Sequence, residues 1–258
     1  MRYKITQIIS DCAKIVLGLS ATGLTFSSVI DLTYFLSVPG FNNFKVIISQ
    51  EQDPWLYTSW GLLVDTALLT LFVLQHSLLA SSKIKDIFNS YGLQVIYRTL
   101  YVITTSAALL VLIKYWIGTP HVILWQYNMS HRPVFLLYSC IHVVAWLIIY
   151  VGNICTDVTE LLGIKQVYYS MVKLPDPNVR KSFQLQRLTK HMRHPSFLAF
   201  VLIFWVYPVM SLDRLLLATI LTCYMYIAWN PDDRDYHYHK LQYERKYHEL
   251  DHLQQKYY

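Results

Sequence analysis

Four long apolar runs, at about residues 15–37, 60–79, 99–117 and 134–155, dictate what this chain can fold into. Each is close to the ~20 residues that a helix needs to cross the hydrocarbon of a bilayer. Two shorter runs follow, at about 196–210 and 213–229, separated by Pro208 and Ser211-Leu212-Asp213. Backbone amides in hydrocarbon must be satisfied internally, so runs of this kind become helices. The fold class expected is therefore all-α: a polytopic membrane helix bundle of about six transmembrane helices, ending in a short C-terminal helical hairpin. That hairpin is expected to turn inside the membrane, with Asp213 and Arg214 shielded by protein. Residues 1–258 read as a single integral membrane domain, with a polar loop at 158–194 and a polar tail at 230–258.

Composition supports this. Hydrophobic residues make up 54 % of the chain and charged residues only 15 %, less charge than a soluble domain of this size carries. The lipid bilayer is thus the first expected partner. The net charge of +6 does not point to nucleic acid, because the cations sit beside the apolar runs. Counted by segment along the chain, Lys plus Arg number three before the first run, then one, three, two, seven, one and five. Every odd-numbered segment is rich and every even one poor. By the positive-inside rule this predicts six crossings with both termini on the cytoplasmic side, which for a nuclear-envelope protein is also the nucleoplasmic side. Asn128-Met129-Ser130, a glycosylation sequon, falls in a short loop on the opposite side.

With that orientation, Gln75, His76, Arg98, Asn153, Asp157, Glu160 and His194 are all expected near the cytoplasmic face. His142, Trp146, Asn153, Asp157 and Glu160 step by helical intervals and predict one polar stripe on the fourth helix, while Asp65 and His76 share a face of the second. Ionisable groups at membrane depth are costly and normally face the bundle interior. Cys12, Cys140, Cys155 and Cys223 lie in or beside apolar runs and read as small buried hydrophobes rather than a disulfide framework. His191-x-x-His194 has a spacing that one helical face could offer a metal, but it lacks the zincin glutamate, so no metal is expected. No Gly-rich phosphate loop, G-x-S-x-G elbow or catalytic Cys–His signature is present, and 8 glycines leave no room for a Rossmann domain. No two-half repeat of the transporter kind is visible.

Gln75-His76-Ser77-Leu78, Glu160-Leu161-Leu162-Gly163-Ile164-Lys165-Gln166-Val167-Tyr168-Tyr169, Arg193-His194-Pro195 and Asp213-Arg214-Leu215-Leu216-Leu217-Ala218 carry a resemblance. In order and spacing they resemble the nurim family, multi-span proteins of the inner nuclear membrane. The resemblance implies six spans, retention in the nuclear envelope alongside other nuclear-envelope proteins, and a structural or interaction role without established catalysis or an expected cofactor, the alternative being an S-adenosylmethionine-dependent methyltransferase or a degenerate cofactor-binding relative. That family is in turn distantly similar to isoprenylcysteine carboxyl methyltransferases, which use S-adenosylmethionine. Their span-opening Arg-His-Pro-x-Tyr motif is matched by Arg193-His194-Pro195, but Phe197 stands where the tyrosine would be. Their Glu-Glu pair aligns best with Arg234-Asp235, so one carboxylate is lost and the other shortened. If a pocket for S-adenosylmethionine persists, the similarity implies a lining of Arg193, His194, Asp235, Tyr168, Gln166, His76 and Glu160. No catalytic residue is assigned.

Overall fold

The computed structural model describes residues 2–38, 53–155, 157–177, 196–229 and 244. It is an all-α membrane helix bundle with one small β-ribbon. The helices and strands, in chain order, are α1 (Arg2–Ser37), α2 (Pro54–Ala80), α3 (Ser82–Ser90), α4 (Gln94–Tyr115), β1 (Ile123–Gln126), α5 (Arg132–Cys155), α6 (Val158–Leu161), α7 (Ile164–Met171), α8 (Phe197–Trp205), β2 (Val209–Ser211) and α9 (Leu212–Trp229). By length and composition, Gln7–Ser37, Pro54–Ala80, Gln94–Tyr115 and Arg132–Ile154 can each cross a bilayer.

Contacts between helices set their directions. Thr25 meets Ser106 and Phe35 meets Trp116, so α1 and α4 run parallel. Gln75 meets Thr104 while Asp65 meets Ile117, so α2 runs antiparallel to α4. Thr33 meets Tyr150 and Ser37 meets His142, which makes α5 antiparallel to α1. The bundle therefore has two ends. The distal end gathers Ser37, Trp116, Tyr138, Tyr207 and Asp213; the proximal end gathers Leu79, Arg98, Asp157, Gly163 and Tyr224.

The apolar core lies in the distal half. Phe35, Leu69, Trp116, Ile203, Leu217 and Ala218 are almost completely enclosed. The Trp116 ring stands edge-on to Phe35 with centroids 5.6 Å apart, a geometry that aromatic quadrupoles favour. Outward faces stay apolar instead of turning polar: Leu136, Leu137, Val143, Leu147, Val151 and Ile154 of α5 are all exposed. Water would not tolerate so continuous a patch, whereas acyl chains would. Cys12, Cys140 and Cys223 are unbridged and lie on this outer surface, which corrects their reading as buried side chains.

Several elements depart from the sequence expectation. The second helix starts at Pro54, six residues before the apolar run, because Asp53 caps it by accepting from the Trp55 amide at 3.0 Å and Pro54 suits the first turn. The expected polar loop at 158–194 contains two short helices, with Val167 buried against the bundle. The first helix of the last pair is shorter than its apolar run, since α8 has only nine residues and the chain then enters β2. Strand β2 pairs antiparallel with β1, matching Ile123 to Ser211 and Gln126 to Val209. The ribbon satisfies backbone groups that would otherwise be stranded where α4, α5, α8 and α9 converge.

Candidate functional site

Polar side chains are concentrated at both ends of the bundle, and the distal concentration is the more enclosed. Asp213 opens α9 and is 2 % exposed. Its Oδ1 accepts from the Thr119 amide and the Thr119 hydroxyl, both at 2.9 Å, and from Ser211 Oγ at 2.5 Å. Its Oδ2 accepts from Trp116 Nε1 at 2.9 Å. The Asp213 amide donates back to Thr119 Oγ1 at 3.0 Å, so that hydroxyl is used as both donor and acceptor. Four donors on one carboxylate offset its desolvation. Beside it, the Arg214 guanidinium donates to the Phe35 carbonyl at 2.8 Å and lies over the rings of Phe35 and Tyr207, 4.4 and 4.7 Å from their centroids. Asp65, fully enclosed on α2, accepts from the Ile117 amide at 2.9 Å just beyond the end of α4.

A second distal group is built around Ser37. His142 Nε2 lies 2.8 Å from the Val206 carbonyl, which can only accept, so Nε2 carries the proton. His142 Nδ1 is then an acceptor and takes the Ser37 hydroxyl at 2.8 Å. Ser37 Oγ accepts in turn from Trp146 Nε1 at 2.7 Å, while the Ser37 carbonyl receives the Tyr138 hydroxyl at 2.5 Å. Both imidazole nitrogens are therefore occupied, and α1, α5 and the α8–β2 turn are tied at one point.

The proximal end is looser. Tyr101 places its hydroxyl 3.0–3.1 Å from both nitrogens of His76, whose ring is stacked on Phe72 at 5.8 Å and met edge-on by Tyr224 at 6.2 Å. Arg98 lies over the Tyr101 ring at 5.2 Å and donates from Nε to the Leu161 carbonyl at 2.8 Å, holding α6 against α4. Asp157 sits at the α5–α6 corner with φ +71° and accepts from the Thr159 and Glu160 amides. Lys165 Nζ donates to Asp157 Oδ2 at 2.7 Å and stands 4.0 Å from Glu160 Oε2. The Lys165 bond, helped by the Thr159 hydroxyl, pulls the Asp157 carboxyl down to about 2, and the same bond raises Lys165. Gly163, at φ +83°, lets the next turn press onto α4: a Cβ there would stand 2.5 Å from Thr99 Oγ1.

These positions correct one expectation. The fourth-helix stripe does not run through: α5 ends at Cys155, Asn153 is exposed and bonds back to the Ile149 carbonyl, and the left-handed Asp157 turns Glu160 in a new direction. Gln75, His76, Arg98, Asn153, Asp157 and Glu160 do lie towards the proximal end, whereas Asp65, His142 and Asp213 are distal, and His194 lies outside the described residues. Asp65 and His76 do both face α4, and Asp213 is shielded by protein.

Of the seven residues implied as a cofactor lining, Glu160 and Gln166 come together, Gln166 Nε2 donating to the Glu160 carbonyl at 3.3 Å. His76 faces α4 and α9 instead, and Tyr168 is exposed beside Tyr169. Arg193, His194 and Asp235 lie outside the described residues. Among the described residues no group of three His, Cys, Asp or Glu is placed to hold a metal. Ser37, Trp116 and Thr119 gave no signal in the sequence, because a serine, a tryptophan and a threonine at helix ends are ordinary until their long-range partners are known.

No family model matches the chain, and no solved structure matches it. Curated relatives do. A nurim homolog from Drosophila pseudoobscura pseudoobscura is 39 % identical over 249 residues, covering 92 % of this chain and 97 % of that protein. A nurim homolog from Drosophila melanogaster is 39 % identical over 76 % of this chain and 78 % of its own length. Nurim from Mus musculus is 39 % identical over 72 % of each. With identity sustained over most of its length and a bundle of membrane-length helices to match, the chain belongs to the nurim family.

Proposed function

We propose that this chain is a non-catalytic, multi-pass structural protein of the inner nuclear membrane, with both termini on the cytoplasmic or nucleoplasmic side. The observation that carries the reading is the commitment of two buried polar groups, Asp213 and His142, to holding helices together. Asp213 receives four donors and both nitrogens of His142 are engaged. Groups fully paired in the resting fold are poor general acids and bases, whereas they suit a rigid anchor. The alternation of cation-rich and cation-poor segments supports the orientation, and family membership supports the residence.

Photobleaching of the fluorescently tagged chain tests the proposal. Slow recovery at the nuclear rim, unchanged by His194→Ala, is the expected result. Recovery as fast as that of a general endoplasmic-reticulum membrane protein overturns it. A parallel titration of the purified chain with millimolar S-adenosylmethionine should show no binding. Saturable binding that disappears in His194→Ala would replace the anchor reading with a cofactor-dependent one.

A further inference from the structure

Helix α3 has no assigned role, and its residues are unusual in being left uncovered. Ser81 ends α2, its amide donating to the Leu78 carbonyl at 3.1 Å, and starts α3, its hydroxyl accepting from the Ile84 amide at 3.4 Å. One residue thus turns the chain with no linker. At the other end Gly92, at φ +71°, closes the helix, with the Leu93 amide reaching the Phe88 carbonyl at 2.9 Å. Helix α4 begins two residues later. Because α2 and α4 are antiparallel and each long and apolar enough to cross a bilayer, α3 is held at the level where the hydrocarbon ends.

Its sequence suits that level. Ile84, Ile87, Phe88 and Tyr91 follow the i, i+3, i+4, i+7 spacing of one helical face. At about 100° per residue, Lys83 and Lys85 flank that face on either side, and Asp86 and Asn89 lie opposite. Protein covers little of it: no residue of α3 is buried, Ile87 is 50 % exposed and Tyr91 76 % exposed. Phe88 is pinned, its ring meeting Tyr97 edge-on at 5.1 Å, while the Tyr97 hydroxyl donates to the Leu79 carbonyl. That contact fixes the rotation of α3 against α4. An apolar face flanked by lysines, held at the bilayer boundary, is the arrangement of an interfacial helix whose cations meet lipid phosphates.

We propose that α3 is a lipid-binding element: Ile84, Ile87 and Tyr91 enter the acyl boundary and Lys83 and Lys85 hold anionic phospholipid headgroups. The occupant is the bilayer, because two flanking spans already place the helix in it and the flanking charges complement anionic lipid. The full chain, with its four cysteines replaced by serine and one label introduced by Ile87→Cys or Asn89→Cys, tests this in vesicles of phosphatidylcholine with and without phosphatidylserine.

Brominated acyl chains should quench the label at 87 and spare that at 89, while aqueous iodide should do the reverse. Phosphatidylserine should deepen quenching at 87. The pair Lys83→Ser and Lys85→Ser should abolish that deepening at the same phosphatidylserine fraction, each lysine contributing about fivefold in affinity. Iodide quenching at 87 equal to that at 89 overturns the proposal, and so does shielding at 87 from both quenchers, which would mark a protein partner or a second copy. Hydrogen exchange of residues 84–91 in the unsubstituted chain gives the same reading without the cysteine background. Exchange slowed by phosphatidylserine supports the proposal, and exchange indifferent to it overturns the headgroup assignment.

Discussion

The two ends of this bundle use similar residues to opposite effect. At the distal end a carboxylate and an imidazole are enclosed, and the side-chain polar atoms of Asp213 and His142 are met by partners from other elements. At the proximal end Asp157, Lys165 and Glu160 stand partly in solvent, and their pairs close short local turns. Enclosure makes the difference in energy. A buried donor left alone costs about 1–3 kcal/mol, whereas an exposed ion pair contributes about 0–1 kcal/mol. Polar contacts at the distal end therefore hold the fold, and the partly exposed ion pairs at the proximal end can be altered cheaply.

The contrast fails most directly if Asp213→Ala is mild. That substitution strands the Trp116 indole and the Thr119 amide in the core, and a loss of about 3 kcal/mol or more is expected in thermal unfolding of the purified chain in detergent. Ser37→Ala is expected to cost about 1–3 kcal/mol in the same assay, because His142 Nδ1 and Trp146 Nε1 lose their shared partner.

Gly163→Ala probes the tightest proximal contact. Its positive φ and the Thr99 contact predict about 1–3 kcal/mol, with faster hydrogen exchange confined to 158–171. Exchange that rises across the distal helices as well would show that the two ends are coupled. The smallest effect belongs to Asp157. Its carboxyl is held at about 2 in the fold against an ordinary 3.8, so its contribution is present near neutrality and is lost as pH falls from about 4 towards 2. At this exposure the change is expected to stay below about 1 kcal/mol, read as the difference between the parent and Asp157→Asn across that range.

Much of the bundle was legible because its physics is one-dimensional. Apolar runs long enough to cross hydrocarbon announce α1, α2, α4 and α5, and the shielding of Asp213 follows from placing a carboxylate between two apolar runs. The departures have a different origin. Strand β1 is four residues of mixed character, and it becomes a strand only because β2 arrives beside it from more than eighty positions away. Helix α3 was hidden among charges, its nine residues too short for periodicity to stand out from the adjoining span. The stripe on α5 failed at one residue, Asp157, whose side chain caps the next helix and so resets the direction of everything after it. The lining implied for S-adenosylmethionine rests on family likeness, and among the described residues the geometry brings Glu160 and Gln166 of it together.

The bond between Thr119 and Asp213 joins residues 94 positions apart. At roughly 5–20 residues per second, the ribosome needs about 5–20 s to make the second partner after the first. At its start α1, α2 and α4 are already synthesised and α5 is added during it, while Trp116 and Thr119 await the carboxylate that will accept their hydrogen bonds. Closure of the distal end is thus an event in time as well as in space. A newborn chain with its first four spans inserted has its walls in place, and it becomes one molecule only when α9 arrives.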